Sequence, residues 1–182
     1  MVGVTGASGA PLALRLLENL SDHEVHLIVS KIAREVIRLE LGENVYLPCS
    51  YSYEEDDFSS PLASSSFLID AMVVIPCSMK TLAAIAHGYA SNLITRAAEN
   101  ALRLGKPLIL VPRETPLSLM DIDNMRKVKQ AGGIILPAMV AYYHKPRSVD
   151  DITNFIVGKV LDVLGIEHKL YTRWAEVKPP PS

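Results

Sequence analysis

Short apolar runs rich in valine and isoleucine alternate along this chain with longer stretches of helical period. The apolar runs predict β-strands at 2–5, 24–29, 71–76, 107–111 and 133–136. The intervening stretches predict helices at 11–20, 31–41, 81–87, 93–104, 118–131 and 149–164. Because the strand runs are too apolar for burial on one side only, both of their faces are expected to be buried. The sequence therefore predicts an α/β protein with a parallel sheet and helices on both faces of that sheet.

Length and charge limit what such a protein does. The 182 residues fit a single domain, which we place at 1–175, followed by a disordered tail at 176–182 that contains three consecutive prolines. The formal net charge of -2 recruits neither nucleic acid nor an anionic membrane. No apolar run reaches the roughly 18 residues of a membrane helix, and no signal-type segment is recognised, so we expect a cytoplasmic protein. Cys49 and Cys77 are too few for a disulfide scaffold or a zinc site built on four cysteines.

The first predicted strand runs into a small-residue turn at 5–10 and then into a helix that begins near Pro11. Glycines let the backbone approach a ligand, and the N–H groups at a helix N-terminus attract a phosphate; a tight turn without a ligand is the alternative. The turn is neither a Walker motif nor the dinucleotide fingerprint, since Thr5 stands where a glycine is needed. The second strand ends in Ser30 and Lys31 instead of the acid that holds a ribose. This ending disfavours NAD and favours a mononucleotide such as FMN.

Polar residues also follow the third and fourth predicted strands. Ligands of open parallel sheets bind beyond the carboxyl ends of the strands, so the turn at 76–81 is expected to form a second wall of the same site. Ser78 and Thr81 have a simpler alternative, because serine and threonine are common N-caps. Arg113 and Glu114 follow the fourth strand directly, where charged residues favour a site over a solvated loop.

Acidic residues occur in two sets that we considered as metal sites. Asp56 and Asp57 lack the DDxxD spacing of magnesium-dependent prenyl enzymes, because Ser60 occupies the fifth position. Asp150 and Asp151 follow a serine in the pattern of a helix start. We therefore expect no metal site. The stretch 42–67 is rich in serine, shows no clear periodicity and is expected to be a long loop that is functional or mobile.

Several segments, taken in order and with their spacing, resemble the UbiX-type flavin prenyltransferases, a branch of the homo-oligomeric flavin-containing cysteine decarboxylase superfamily. They are TGASGA at 5–10, PCSMKTL at 76–82, NLITRAAE at 92–99, VPRE at 111–114, YYH at 142–144 and RW at 173–174. The resemblance implies a single Rossmann-like, flavodoxin-like domain that forms homo-oligomers, often dodecamers. It also implies transfer of a dimethylallyl group from dimethylallyl phosphate to reduced FMN. The product, prenylated FMN, serves UbiD-type decarboxylases.

The resemblance further implies roles for single residues. The FMN-binding positions are matched by Gly6, Ala7, Ser8, Ser30, Ser78, Met79, Lys80, Thr81 and Arg113. The prenyl phosphate falls on Tyr143 and Lys159, helped by Arg96, Arg103 and Glu114 of neighbouring subunits. Glu40 matches an acidic active-site position, and Trp174 matches an aromatic residue that lines the site. Lys159 and Arg103 stand where some relatives have arginine and lysine, so charge is kept while two-point hydrogen bonding is lost at one position and gained at the other.

These residue types fit metal-independent alkyl transfer from a phosphate ester. Cationic side chains and a tyrosine hydroxyl stabilise the charge that develops as the carbon–oxygen bond breaks, and the indole of Trp174 suits an allylic cation. Either the released phosphate or Glu40 accepts the proton lost on ring closure. The sequence does not choose between these two acceptors, or between a monophosphate and a diphosphate donor.

Two alternatives to prenyl transfer were weighed. The first is FMN-dependent decarboxylation of a cysteine-containing substrate, as in the sister branch of the superfamily. That branch has an asparagine where Lys80 stands and uses an active-site histidine from the region of 42–67, which contains no histidine here. The second is a flavin-binding storage or regulatory subunit, which would not need a basic phosphate site.

Overall fold

Parallel strands and helices alternate along residues 1–178, the part of the chain that the computed structural model describes. The strands are β1 Val2–Val4, β2 His26–Val29, β3 Tyr51–Glu54, β4 Met72–Cys77, β5 Leu108–Pro112 and β6 Ile134–Ile135. The helices are α1 Ala10–Glu18, α2 Lys31–Leu41, α3 Met79–Ala86, α4 Leu93–Arg103, α5 Leu119–Gln130, α6 Val149–Leu164 and α7 Trp174–Val177, with a short 3₁₀ helix at Pro61–Ala63. The predicted α/β class is confirmed.

The strands form one parallel sheet in the order β3-β2-β1-β4-β5-β6. Successive residues of β4 point to opposite sides of this sheet. Val73 and Ile75 pack into a core with α1, α2 and α6, which we call the first face. Met72 and Val74 pack into a core with α3, α4 and α5, which we call the second face. Every residue of β4 and β5 is buried, as a sheet covered on both faces requires.

The edge strand β3 differs from the sequence prediction, which placed it inside the long loop 42–67. Three of its four residues are exposed and two are polar, so it lacks the apolar run that revealed the other strands. It pairs with β2 through His26 opposite Tyr51 and Val29 opposite Glu54. With β3 the sheet has the strand order of a six-stranded Rossmann sheet; without it the order reduces to that of flavodoxin. The single-domain Rossmann-like, flavodoxin-like prediction is thus confirmed.

The C-terminal segment also differs from the sequence prediction, because α7 extends into the predicted tail at 176–182. Glu176 and Val177, which we placed in the disordered tail, belong to α7. Residues 179–182 of that predicted tail lie outside the described part of the chain. Among the described helices, none combines the length and apolar character needed to cross a membrane.

Candidate active site

Thr5 joins the carboxyl ends of β1 and β4, the point at which the strand order reverses. Its side chain is buried, and its hydroxyl donates to the Pro76 carbonyl at 2.8 Å and accepts from the Ser78 N–H at 2.8 Å. The Thr5 N–H donates to the same Pro76 carbonyl at 3.3 Å. These bonds hold the turns after β1 and β4 side by side. The two turns form a crevice at the carboxyl ends of the strands, which is where open α/β sheets bind ligands.

Close packing explains the small residues of the turn after β1. A Cβ on Gly6 would lie 2.4 Å from a methyl carbon of Ile32, so the approach of α2 requires glycine. Glu40 of α2 reaches the start of α1 and accepts from the N–H groups of Gly9 at 2.9 Å and Ala10 at 2.7 Å. The N–H groups that we expected to be available to a phosphate are therefore occupied by a carboxylate of the chain itself.

Serine side chains cap the two helices that begin at the crevice. Ser30 begins α2, and its Oγ accepts from the Ala33 N–H at 3.1 Å. Ser78 begins α3, where its Oγ accepts from the Thr81 N–H at 3.3 Å and donates to the Thr81 hydroxyl at 3.1 Å. The capping alternative is therefore observed for Ser78, whereas Thr81 is the third residue of α3 and provides the N–H that Ser78 caps. Hydroxyl groups both donate and accept, so the Ser30 and Thr81 hydroxyls retain a proton to donate to a ligand.

Arg113 extends from the end of β5 toward the turn after β1. Its Nε donates to the Ser8 carbonyl at 3.1 Å, so the guanidinium borders the crevice. Glu114 is exposed, and its carboxylate accepts from the next backbone N–H at 2.9 Å. Met79 and Lys80 lie in the first turn of α3, where Met79 is half-buried against the second-face core and Lys80 is exposed. The structure thus brings the candidate FMN-binding residues to one edge of the sheet.

A second group of candidates lies on the first face, beside α6. The ring of Tyr143 packs edge-on against Phe155 and Trp174, with centroid separations of 6.0 and 5.2 Å. Trp174 is 57% exposed, so part of the indole remains open to a ligand. The segment that carries Tyr143 leaves the sheet beside Arg113. The Ala138 N–H donates to the carbonyl of Pro112, the residue before Arg113, at 3.0 Å. Tyr143 therefore follows directly from the carboxyl edge that forms the crevice.

Lys159 lies one turn along α6 from Phe155. Its Nζ is 5.7 Å from the Phe155 ring centroid, 5.0 Å from the Tyr171 ring centroid and 3.7 Å from a carboxylate oxygen of Asp162. A cleft of about 480 Å³ opens beside this ammonium, and its walls include Phe155 and the apolar side chain of Met139. An apolar cleft with a cation at its wall suits a small ligand that combines a hydrocarbon chain with an anion.

Arg96 and Arg103 occupy α4, which covers the second face. Both guanidinium groups pair with the carboxylate of Glu99, at 3.4 Å for Arg96 and 2.5 Å for Arg103. The sheet separates this helix from the first-face core, to which Tyr143 and the aliphatic part of α6 belong. Within one subunit, the structure does not bring these arginines together with Tyr143 and Lys159.

The chain is similar to known flavoproteins over most of its length. A family model described as flavoprotein matches residues 1–161. The flavin prenyltransferase UbiX of Methanocaldococcus jannaschii is 50% identical over 182 residues, covering 97% of this chain and 98% of the relative. The chain belongs to the UbiX family of flavoproteins. The resemblance predicted from the sequence motifs is confirmed.

Two solved structures of UbiX-type proteins superpose on this UbiX-family chain. One is described as a dodecameric FMN-dependent UbiX-like decarboxylase from Escherichia coli O157:H7; it is 44% identical, covers 95% of this chain and 97% of its own, and gives a TM-score of 0.90. The other is AnUbiX in complex with FMN and dimethylallyl pyrophosphate. It is 39% identical, covers 95% of each chain and also gives a TM-score of 0.90.

The acidic sets considered as metal sites make other contacts. Asp56 pairs with Lys31 at 2.6 Å. Asp151 accepts from the backbone N–H groups of Arg147 and Ser148 at 2.7 and 3.0 Å, which is the helix start that the sequence pattern indicated. Within residues 1–178, His, Cys, Asp and Glu side chains do not form a group of three or more that could hold a metal ion.

Sequence analysis missed two residues that organise the site. In the sequence Thr5 stands only as a member of the turn at 5–10 and a departure from the dinucleotide fingerprint, yet its hydroxyl joins the two turns of the crevice. Its position at the end of the first strand was the available signal. Asp162 was not singled out, although its carboxylate accepts hydrogen bonds from Tyr171, Arg173 and His168. Its spacing of three residues from Lys159 on one helix was the available signal.

Proposed function

We propose that this chain is a flavin prenyltransferase that transfers a dimethylallyl group from dimethylallyl phosphate to reduced FMN, giving prenylated FMN. One observation carries the proposal: the chain shares its fold with AnUbiX at 39% identity, and AnUbiX was solved with FMN and dimethylallyl pyrophosphate together. Those two molecules are the acceptor and a diphosphate form of the donor. The cysteine decarboxylation alternative is not favoured, because the relatives at up to 50% identity over nearly the full chain are named flavin prenyltransferases.

The groups at the crevice fit FMN by their chemistry. Apart from the carboxylates of Glu40 and Glu114, the polar side chains there are neutral or cationic hydrogen-bond donors, which suit a phosphate and a flavin ring rich in carbonyl groups. The residues that would hold FMN are Gly6, Ala7, Ser8, Ser30, Ser78, Met79, Lys80, Thr81 and Arg113. Arg113 has direct structural support, because its Nε donates to the Ser8 carbonyl in the turn after β1, which fixes the guanidinium at the border of the crevice.

The side chains near α6 supply the chemistry of the donor. Tyr143 and Lys159 bind the donor phosphate and stabilise the charge that develops on it as the carbon–oxygen bond breaks. Trp174 offers its indole to the allylic carbon as positive charge develops there. Glu40, held at the start of α1 by two backbone N–H groups, accepts the proton lost on ring closure, with the departing phosphate as the other acceptor. Reduced FMN supplies the nucleophile, and we expect no metal to take part.

We further propose that neighbouring subunits complete the donor phosphate site. Arg96, Arg103 and Glu114 contact the donor phosphate of another subunit, since α4 lies on the face opposite Lys159. The relative from Escherichia coli O157:H7 is dodecameric, and we propose a homo-oligomer of the same kind here. Exposed apolar side chains support a subunit contact: Leu119 is 78% exposed, Met120 76% and Tyr142 74%.

The product defines the cellular role that we propose. Prenylated FMN made here serves a decarboxylase of the UbiD type, and the reaction takes place in the cytoplasm. The deciding experiment incubates the protein with reduced FMN and dimethylallyl phosphate, then measures the mass and absorption spectrum of the released flavin. A flavin heavier by one dimethylallyl group supports the proposal. Unchanged FMN, together with loss of CO₂ from a peptide ending in cysteine, would instead establish the decarboxylase alternative.

A further inference from the structure

Asp162 is the point at which the segment after α6 attaches to that helix. Gly165 ends α6 in the left-handed conformation with φ of 72°, and the chain then returns along the helix toward α7. One carboxylate oxygen of Asp162 accepts from the Tyr171 hydroxyl at 2.5 Å. The other accepts from Arg173 Nη2 at 2.6 Å and His168 Nε2 at 3.1 Å. A single carboxylate, with its side chain 22% exposed, thus binds three groups of the returning segment.

Two further features show that this attachment is built into the fold. His168 Nδ1 accepts from the Leu170 N–H at 3.2 Å, which places the imidazole proton on Nε2, the atom that donates to Asp162. Gly158 lies in the middle of α6, where glycine costs about 1 kcal/mol relative to alanine. A Cβ at Gly158 would lie 2.6 Å from the Tyr171 ring and 2.8 Å from the His168 ring, so glycine allows both rings to lie directly on the helix.

The same carboxylate is connected to both parts of the donor site. Lys159 Nζ lies 3.7 Å from Asp162 and over the face of the Tyr171 ring at 5.0 Å. Arg173, bound to Asp162, is the residue directly before Trp174 and the N-cap of α7. Trp174 in turn packs edge-on against Tyr143 at 5.2 Å. A change at Asp162 therefore reaches the ammonium that binds the phosphate and the indole that lines the prenyl group.

We propose that Asp162 is a positioning residue of the prenyl donor site, which fixes the Lys159 ammonium and holds Trp174 against Tyr143. This inference rests on the proposed function, since it concerns the same donor site. Asp162 touches neither donor nor FMN in this role. It acts through Lys159 directly and through Arg173 on Trp174. The opposite hypothesis is that Asp162 merely competes with the donor phosphate for Lys159. The two hypotheses predict changes of opposite sign when the carboxylate charge is removed.

The test compares Asp162→Asn with the milder Tyr171→Phe, which removes one hydrogen bond to Asp162 and keeps the ring. Binding of dimethylallyl phosphate is measured by calorimetry on protein loaded with oxidised FMN, so that no turnover occurs. We expect donor affinity to fall about tenfold or more in Asp162→Asn, because a displaced Lys159 ammonium no longer makes its charge-assisted hydrogen bond to the donor phosphate. Tyr171→Phe should weaken it about threefold. FMN affinity should not change in either variant.

Trp174 provides a second readout, because it is the sole tryptophan of the sequence. Quenching of its fluorescence by acrylamide should increase in both variants if the indole leaves Tyr143. Asp150→Asn is the matched control: it removes a carboxylate of the same helix that is 76% exposed and lies 3.9 Å from Arg15, and it should behave as the parent does. If Asp162→Asn does not fold, Tyr171→Phe decides by the same two measurements.

The outcomes separate this inference from the proposed function. Tighter donor binding in Asp162→Asn, or unchanged binding with unchanged quenching in the folded variants, overturns the positioning role. A parent protein that binds the donor but releases only unmodified FMN overturns the proposed function and leaves the calorimetric comparison intact. A parent protein that does not bind dimethylallyl phosphate refutes both.

Discussion

Replacing Lys159 with alanine tests the proposed phosphate contact most directly. In the structure its side chain is 43% exposed, with one carboxylate at 3.7 Å and two aromatic rings at 5.0 and 5.7 Å. An ion pair this exposed contributes about 0 to 1 kcal/mol, and cation–π contacts at exposed sites add about 0.5 to 1 kcal/mol. The free energy of unfolding should therefore fall by only about 1 kcal/mol. If Lys159 has only this structural role, the Lys159→Ala enzyme should turn over as fast as the parent.

A phosphate contact predicts a much larger effect on catalysis than on stability. Losing a charge-assisted hydrogen bond to the donor costs about 1.5 to 3 kcal/mol. Because about 1.36 kcal/mol corresponds to a factor of ten, kcat/KM for dimethylallyl phosphate should fall by about ten- to a hundredfold. FMN affinity should stay unchanged, since Lys159 lies in α6 on the first face and the candidate FMN residues lie at the carboxyl edge of the sheet.

Two companion variants complete this experiment. Lys159→Arg keeps the positive charge beside the cleft and should retain most of the activity. Lys129→Ala removes an exposed lysine of α5 on the second face and serves as a control for loss of one positive charge. Steady-state kinetics of prenylated FMN formation, with flavin titrations alongside, measure all three. An Lys159→Ala enzyme with the kcat/KM of the parent would remove Lys159 from the site.

Three other predictions address cofactor, metal and pH. Arg113→Ala should weaken FMN binding by about tenfold in calorimetry, because Arg113 borders the crevice through Ser8, and the parent should bind FMN in preference to NAD. Turnover should survive exhaustive EDTA treatment; activity that returns only with magnesium would contradict metal independence. Burial raises the pKa of Asp162, but hydrogen bonds from Tyr171, Arg173 and His168 outweigh burial and lower this pKa from 3.8 to about 2. The ionised carboxylate therefore stabilises the fold above about pH 4, and this contribution disappears as the pH falls toward 2. The melting temperatures of the parent and of Asp162→Asn should converge as the pH is lowered across that window.

The sequence predicted the elements whose residues are dictated by burial. The strand runs that became β1, β2, β4, β5 and β6 consist mostly of buried or half-buried apolar residues, with His26 of β2 as a polar exception. The predicted helices are found with ends shifted by at most two residues. β3 escaped because it is an edge strand. Tyr51 and Glu54 are exposed, so no burial pattern marks them, and their pairing with β2 is set by the backbone of a distant segment.

The candidate site was predictable where each residue belongs to a local turn. Ser78 follows β4 directly and Thr81 lies in the first turn of α3, so the rule that ligands bind at carboxyl ends predicts the edge of the sheet at which both are found. The role of Glu40 at the start of α1 was not predictable from spacing, since it depends on the angle at which α2 crosses α1. The Asp162 contacts arise in the same way: Tyr171 and Arg173 reach it only because Gly165 turns the chain back along α6.

Under the proposed function, the division of basic residues between the two faces means that the donor site needs more than one subunit. Helix layers on opposite faces of a sheet are about 20 Å apart, whereas a charge-assisted hydrogen bond spans about 3 Å. Arg96 and Lys159 therefore cannot hold one phosphate within a single subunit. Glu99 already pairs with Arg96 and Arg103, which keeps both guanidinium groups ordered on the outer side of α4. Under the proposed function, a neighbouring subunit must bring that side of α4 to the Lys159 cleft, so assembly and completion of the donor site are the same event.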